Sequence, residues 1–192
     1  MVRQLLRRSI LWMGVLGLAL PASPVFGQQG AQNGEWRSYG GDAGSTKYSS
    51  LDVIDETNVQ DLEVVWRWQT VDYERQAEDP DVRFNSLLLA TPLKVGDALF
   101  TSTNLGQAAA IDAVTGETLW VYNSVAEGTS AGRGRGTRGL AYWTDGSDER
   151  LLTVSGEHLV ALGTRTGELY PEFGENGKVD LRQDMGPRLQ RY

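Results

Sequence analysis

Ala110-Ile111-Asp112-Ala113-Val114-Thr115-Gly116-Glu117-Thr118-Leu119-Trp120 decides the fold, because its first part returns 51 residues later as Ala161-Leu162-Gly163-Thr164-Arg165-Thr166-Gly167-Glu168. These residue types suit a strand that turns sharply and runs back. Alanine fits a crowded strand. Asp and Thr side chains bond backbone amides and pin a turn, and glycine takes the positive-φ position. Tryptophan at the far end can pack flat against a neighbouring layer. The second copy is degenerate, with Gly163 for Asp112 and Pro171 for Trp120. All of these residues build sheets and do no chemistry.

Working outward, residues 91–95, the Gly96-Asp97 pair and residues 98–103 read as a hairpin. Residues 108–112 and 117–122 add two strands and complete a four-stranded meander. The pattern recurs over 138–144, the Asp145-Gly146 turn, 150–155, 158–162 and 168–173. Four-stranded units repeating every roughly 40–50 residues are propeller blades. Upstream, Leu62, Val64, Trp66 and Trp68 alternate with Glu63, Val65, Arg67 and Gln69, which predicts a leading strand over 62–70. The polar, acidic stretch 71–86 reads as a loop. The fold class is therefore all-β, a partial propeller of two four-stranded antiparallel blades plus a leading strand. The 23 glycines and 6 tryptophans among 192 residues agree with that architecture rather than a helical one.

Arg3, Arg7 and Arg8 precede an apolar run over 10–20 and then Pro21-Ala22-Ser23-Pro24-Val25-Phe26-Gly27, the layout of a secretory signal cleaved after Gly27. The run is shorter than the roughly 20 apolar residues that span a bilayer. The expected organisation is a signal peptide over 1–27, then an incomplete propeller over 28–192, with the periplasm as destination. Net charge is −7, and loss of the three arginines takes it to −10, which excludes an electrostatic nucleic-acid binder. With no cysteine there is no disulfide, no thiolate metal site and no lipoprotein lipid anchor.

Several segments carry a family resemblance: Trp36-Arg37-Ser38-Tyr39-Gly40-Gly41-Asp42 with Lys47-Tyr48-Ser49, residues 54–68 (IDETNVQDLEVVWRW), Arg138-Gly139-Leu140-Ala141-Tyr142-Trp143, and residues 173–181 (FGENGKVDL). In their order and spacing, with the tryptophan-bearing repeat, they resemble the quinoprotein alcohol and glucose dehydrogenases that depend on pyrroloquinoline quinone (PQQ). The last segment is similar to the glucose-dehydrogenase-like branch. The resemblance implies an eight-bladed propeller holding PQQ beside calcium, an aspartate that takes the alcohol proton, and hydride transfer to the quinone. It implies an alcohol or sugar substrate and an electron acceptor such as a cytochrome c or a quinone. Arg138 matches the family arginine that contacts the quinone, and a planar guanidinium can grip a carboxylate bidentately. Leu89 departs from the pattern: a glutamate commonly stands two residues before the Thr91-Pro92 pair, and leucine accepts no hydrogen bond.

Other candidates read blandly. Gly134-x-Gly136-x-x-Gly139 lacks the strand before it and the helix after it that a dinucleotide site needs. His158, the sole histidine, has no second histidine for a metal pair, and Asp145, Asp148 and Glu149 read as a solvated hairpin tip. Because 165 residues after Gly27 supply about two blades, the sequence reads as the N-terminal part of a longer dehydrogenase, inactive alone, with calcium ligands and the catalytic aspartate downstream. The alternative is a non-catalytic propeller scaffold that docks proteins. Its outer-membrane lipoprotein form needs the missing cysteine.

Overall fold

Two short turns set the architecture. Gly96 (φ +56°) folds β1 (Leu93–Val95) back onto β2 (Ala98–Ser102), and Gly116 (φ +77°) folds β3 (Ala108–Asp112) onto β4 (Thr118–Tyr122). The four strands pair antiparallel in the order β1-β2-β3-β4. A second sheet repeats that order with β5 (Ala141–Thr144), β6 (Glu149–Ser155), β7 (His158–Gly163) and β8 (Lys178–Asp180). The protein is thus mostly strand, in two four-stranded antiparallel blades. The computed structural model describes residues 30–83, 88–123 and 139–183. The signal-peptide expectation for 1–27 lies outside them.

The core lies between the blades. Leu93, Phe100 and Ala110 stand in register on one face of the first sheet, and Leu140, Leu151, Val160 and Leu162 meet them from the second. Trp120 joins this layer with its ring centroid 5.9 Å from that of Phe100. Its indole covers Gly167, whose φ is +69°, and its Nε1 donates to the Thr164 carbonyl at 2.9 Å. The same docking occurs one step earlier in the chain. Trp66 covers Gly116, where an added Cβ would meet the indole at 2.7 Å, and Trp68 Nε1 donates to Thr118 Oγ1 at 2.9 Å.

A β-bulge makes both contacts possible. Ala110 pairs with Trp120 but Ile111 pairs with Thr118, leaving Leu119 as an extra residue. Because the bulge breaks the simple alternation of side chains along a strand, Thr118 and Trp120 serve opposite faces. Thr118 faces the leading segment and Trp120 faces the second blade.

Three expectations are corrected. Residues 62–70 form no strand. The inside–outside alternation holds only from Trp66 on: Trp66, Trp68 and Thr70 are partly buried and Val65, Arg67 and Gln69 exposed, while Leu62 and Val64, expected on the tryptophan face, are exposed too, and no ladder partner exists among the described residues. The stretch 71–86 is not wholly loop, since Asp72–Glu78 forms a short helix, α1. The fourth strand of the second blade is β8 and not 168–173. There Leu169 makes one bridge to Leu162, and the backbone turns through 171–174. Pro171 has no N–H to give a ladder, so pairing resumes at Lys178 opposite Val160.

Candidate cofactor site

Antiparallel pairing sorts every loop to one of two ends. At one end lie the tight turns after β1, β3, β5 and β7. At the other lie the start of β1, the β2–β3 turn, the start of β5 and the β6–β7 turn. Of the sequence-predicted site positions, Leu89 is described, and it precedes β1 at this second end. Leu89 stands there with its side chain 57% exposed. A Cβ built on Gly139 would lie 3.8 Å from the Thr91 carbonyl oxygen, so the start of β5 abuts the approach to β1. Arg138 itself lies outside the described residues, but its neighbour Gly139 places the chain beside Thr91. Gly139 leads through Leu140 into β5, a strand rather than the helix that a dinucleotide fingerprint requires.

The β2–β3 turn at this end carries polar groups that sequence reasoning missed. Thr101, Ser102, Thr103 and Gln107 are buried, and so is Asp72, whose Oδ2 accepts the Leu105 amide at 3.2 Å. Asp72 Oδ1 and Gln107 Oε1 have no partner among the described residues. Nothing in the sequence flags these groups, because an isolated Asp in a polar stretch looks like a solvated one.

The remaining candidates are structural. Asp145 Oδ1 accepts from the amides of Ser147 and Asp148, both at 2.9 Å, and these bonds hold its carboxyl below the usual range. Asp148 pairs with Arg150 at 2.7 Å and accepts from the Tyr170 hydroxyl at 2.7 Å, with Arg150 4.0 Å from the Tyr170 ring centroid. The hydrogen bond from Arg150, then that from Tyr170, depresses the Asp148 carboxyl. His158 opens β7 opposite Ser155 and Asp180. A cavity of about 440 Å³ lies elsewhere, between the leading segment and Tyr142, with Arg37 bonded to Glu35 and 5.4 Å from the Tyr142 ring centroid.

Taken as a donor set, this end fits a flat quinone in part. The Leu89 side chain can lie against the face of a planar ring but accepts no hydrogen bond, and the unpartnered acceptors of this end are Asp72 Oδ1 and Gln107 Oε1. Among the described residues no three His, Asp or Glu side chains gather as metal ligands.

Comparison with known proteins agrees with this architecture. The glucose/ethanol/alcohol dehydrogenase β-propeller family, designated PQQ, matches residues 36–192. The chain is 34% identical over 143 residues to the dehydrogenase subunit of the quinone alcohol dehydrogenase of Gluconobacter oxydans, covering 73% of this chain and 17% of that one. It is 29% identical to the glycerol dehydrogenase large subunit of Gluconobacter thailandicus (83% and 22%) and 26% identical to quinoprotein glucose dehydrogenase A of Acinetobacter calcoaceticus (81% and 21%). Its fold matches the quinohemoprotein alcohol dehydrogenase of Comamonas testosteroni with a TM-score of 0.60 at 22% identity, over 83% of this chain and 21% of that one. The chain thus spans about a fifth of the length of the relatives it matches. With two tryptophan-docked blades and a family match running from Trp36 to its last residue, the chain belongs to the β-propeller family of the PQQ-dependent dehydrogenases.

Proposed function

We propose that this chain forms the first two blades of a periplasmic PQQ-dependent dehydrogenase that oxidises an alcohol or a sugar by hydride transfer and passes the electrons to a cytochrome c or a quinone. The observation that carries the reading is the meeting of Gly139 and Thr91. Gly139 follows Arg138 in the chain, and Thr91 stands two residues after Leu89. Bound PQQ supplies a two-electron acceptor, and calcium beside it a Lewis acid.

This chain's part is binding and orientation. The Arg138 guanidinium grips a carboxylate or carbonyl oxygen of the cofactor. Leu89 covers a ring face and keeps water from it. Calcium ligands and the base that takes the alcohol proton belong to other blades, so these 192 residues alone do not turn over. Residues 1–27 direct export. Among the described residues no helix is long and apolar enough to cross a membrane.

The test is a titration of PQQ, with calcium present, into the full-length protein carrying this segment, followed by a dye-linked assay over alcohols and aldoses. Binding and dye reduction are expected, and Arg138→Ala should weaken PQQ binding about 10- to 100-fold, the loss of one charge-assisted contact. Leu89 favours a second reading, a non-catalytic scaffold of the same fold. Absence of PQQ binding by the wild type would establish that reading instead.

A further inference from the structure

Helix α1 exposes most of its length, yet its first residue is fully buried. Asp72 does not act there as a surface charge at a helix start. Its Oδ2 accepts the amide N–H of Leu105, 33 residues along the chain, at 3.2 Å. Leu105 sits in a turn that is closed on itself. The Thr103 amide donates to the Gln107 carbonyl at 2.9 Å, the Gln107 amide to Thr103 Oγ1 at 3.2 Å, and the Gly106 amide to the Thr103 carbonyl at 3.0 Å. From Thr101 to Gln107 every residue except Asn104 is buried. Loops at sheet ends are ordinarily solvated, and a carboxyl group buried with a single backbone donor is costly. This one joins a short helix to a sealed turn.

The location of the turn gives the contact its meaning. The β1–β2 ladder ends at the Leu93–Phe100 pair, with Thr91 two residues before Leu93 and Ser102, the residue that enters the turn, two residues after Phe100. Thr91 in turn abuts Gly139. We infer that Asp72 is a positioning residue for cofactor binding: by clamping the 103–107 turn it fixes the end of β2, whose Phe100 pairs with Leu93, and through β1 the Thr91 approach that abuts Gly139. The inference rests on the reading of this end as the PQQ site.

The experiment uses the full-length protein with Asp72→Ala, Asp72→Asn and Asp72→Glu, and with Glu74→Ala as an exposed control on the same helix. Two quantities are read: hydrogen exchange of the 103–107 amides, and the dissociation constant for PQQ with calcium present. In Asp72→Ala the Leu105 amide should exchange about 10-fold faster while the β6 and β7 amides stay unchanged, and the dissociation constant should rise about 10-fold. Asp72→Asn keeps an oxygen for Leu105 and should stay within about 3-fold of wild type, as should Glu74→Ala. Asp72→Glu keeps the carboxyl but displaces the turn by one methylene, so it should remain folded and bind PQQ about 5-fold more weakly.

Wild-type affinity in Asp72→Ala together with a freed Leu105 amide would overturn the inference, since the clamp would then be structural only. Should Asp72→Ala fail to fold, wild-type affinity in Asp72→Glu would overturn it equally. A wild-type protein that binds no PQQ would sink the functional reading itself, an outcome distinct from either.

Discussion

The two blades carry the same turn on different outer strands. In the first, the Gly116 amide donates to the Asp112 carbonyl and the Asp112 amide to the Glu117 carbonyl, at 2.9 and 2.8 Å. In the second, the Gly167 amide donates to the Gly163 carbonyl and the Gly163 amide to the Glu168 carbonyl, both at 2.9 Å. Thr115 Oγ1 and Thr166 Oγ1 each accept the amide two residues on at 3.2 Å. A tryptophan from upstream covers each positive-φ glycine. What differs is the flank. Asp112 Oδ1 accepts from the Val114 and Thr115 amides at 2.9 and 2.7 Å, and Gly163 has no side chain to do so. Trp120 lies within a continuous β4, whereas Pro171 interrupts the second outer strand until Lys178. The Thr-Gly pair and the indole above it therefore suffice for the turn. The aspartate reinforces it, and the next few residues decide whether the outer strand pairs at once.

The comparison breaks first at Gly167. Gly167→Ala would force a methyl into the Trp120 ring at a positive φ and should cost roughly 3 kcal/mol in urea unfolding. Gly96→Ala, at φ +56° with nothing within 4 Å, should cost about 1 kcal/mol. Equal losses would show that the indole does not seat on the turn. Next, Trp120→Ala should cost about 2–3 kcal/mol by cavity formation. Trp120→Phe, which loses the Thr164 bond but keeps a ring, should cost about 1 kcal/mol. A Phe variant as damaged as the Ala variant would place the weight on Nε1.

A smaller effect is expected from making the second turn like the first. Gly163 has no positive φ, and a Cβ there meets the Thr166 hydroxyl, which accepts the Glu168 amide, at 3.2 Å. Gly163→Asp should therefore stabilise by about 0.5 kcal/mol, through a less flexible unfolded chain and new acceptors for the turn amides; thermal unfolding decides the sign.

The smallest effect is acid sensitivity. The Thr115 amide, then that of Val114, holds the Asp112 carboxyl below its usual range. A depressed folded value means that its contribution is complete above about pH 4 and fades as pH falls through that value. The Val114 and Thr115 amide resonances should titrate in that acid window, and those of Arg165 and Thr166 should not. Asp180, held at about 2 chiefly by Arg182, should lose its share in the same direction, with the window reaching down to about pH 2.

Much of this was legible in the sequence, for local reasons. Gly-Asp and Thr-Gly pairs fix turns within four residues, so the strands of both blades up to β7 fall where those pairs place them. Helix α1 escaped because DYERQAE has no apolar stripe. What fixes it is burial of Asp72 against a turn 33 residues away, and no window of sequence contains that contact. Residues 62–70 show the converse. Their alternation reports which way side chains face, and Trp66 and Trp68 do face the first blade, but a facing pattern says nothing about hydrogen-bonded neighbours. Pro171 was visible as a departure from the repeat, yet where the chain would rejoin the sheet depended on the 170–177 excursion. Of the candidate site, Leu89 precedes β1 with its side chain exposed, and Arg138 lies outside the described residues.

The extra residue at Leu119 has a consequence for how such units can be copied. A strictly alternating outer strand has one phase and can address one neighbour. Inserting a single residue shifts that phase midway, so the first half of β4 speaks to the leading segment and the second half to the next blade. The unit is directional for that reason. A copy of the first blade keeps both contacts only if it keeps the odd residue, and losing Leu119 would turn the indole to the wrong side without changing a single buried apolar residue.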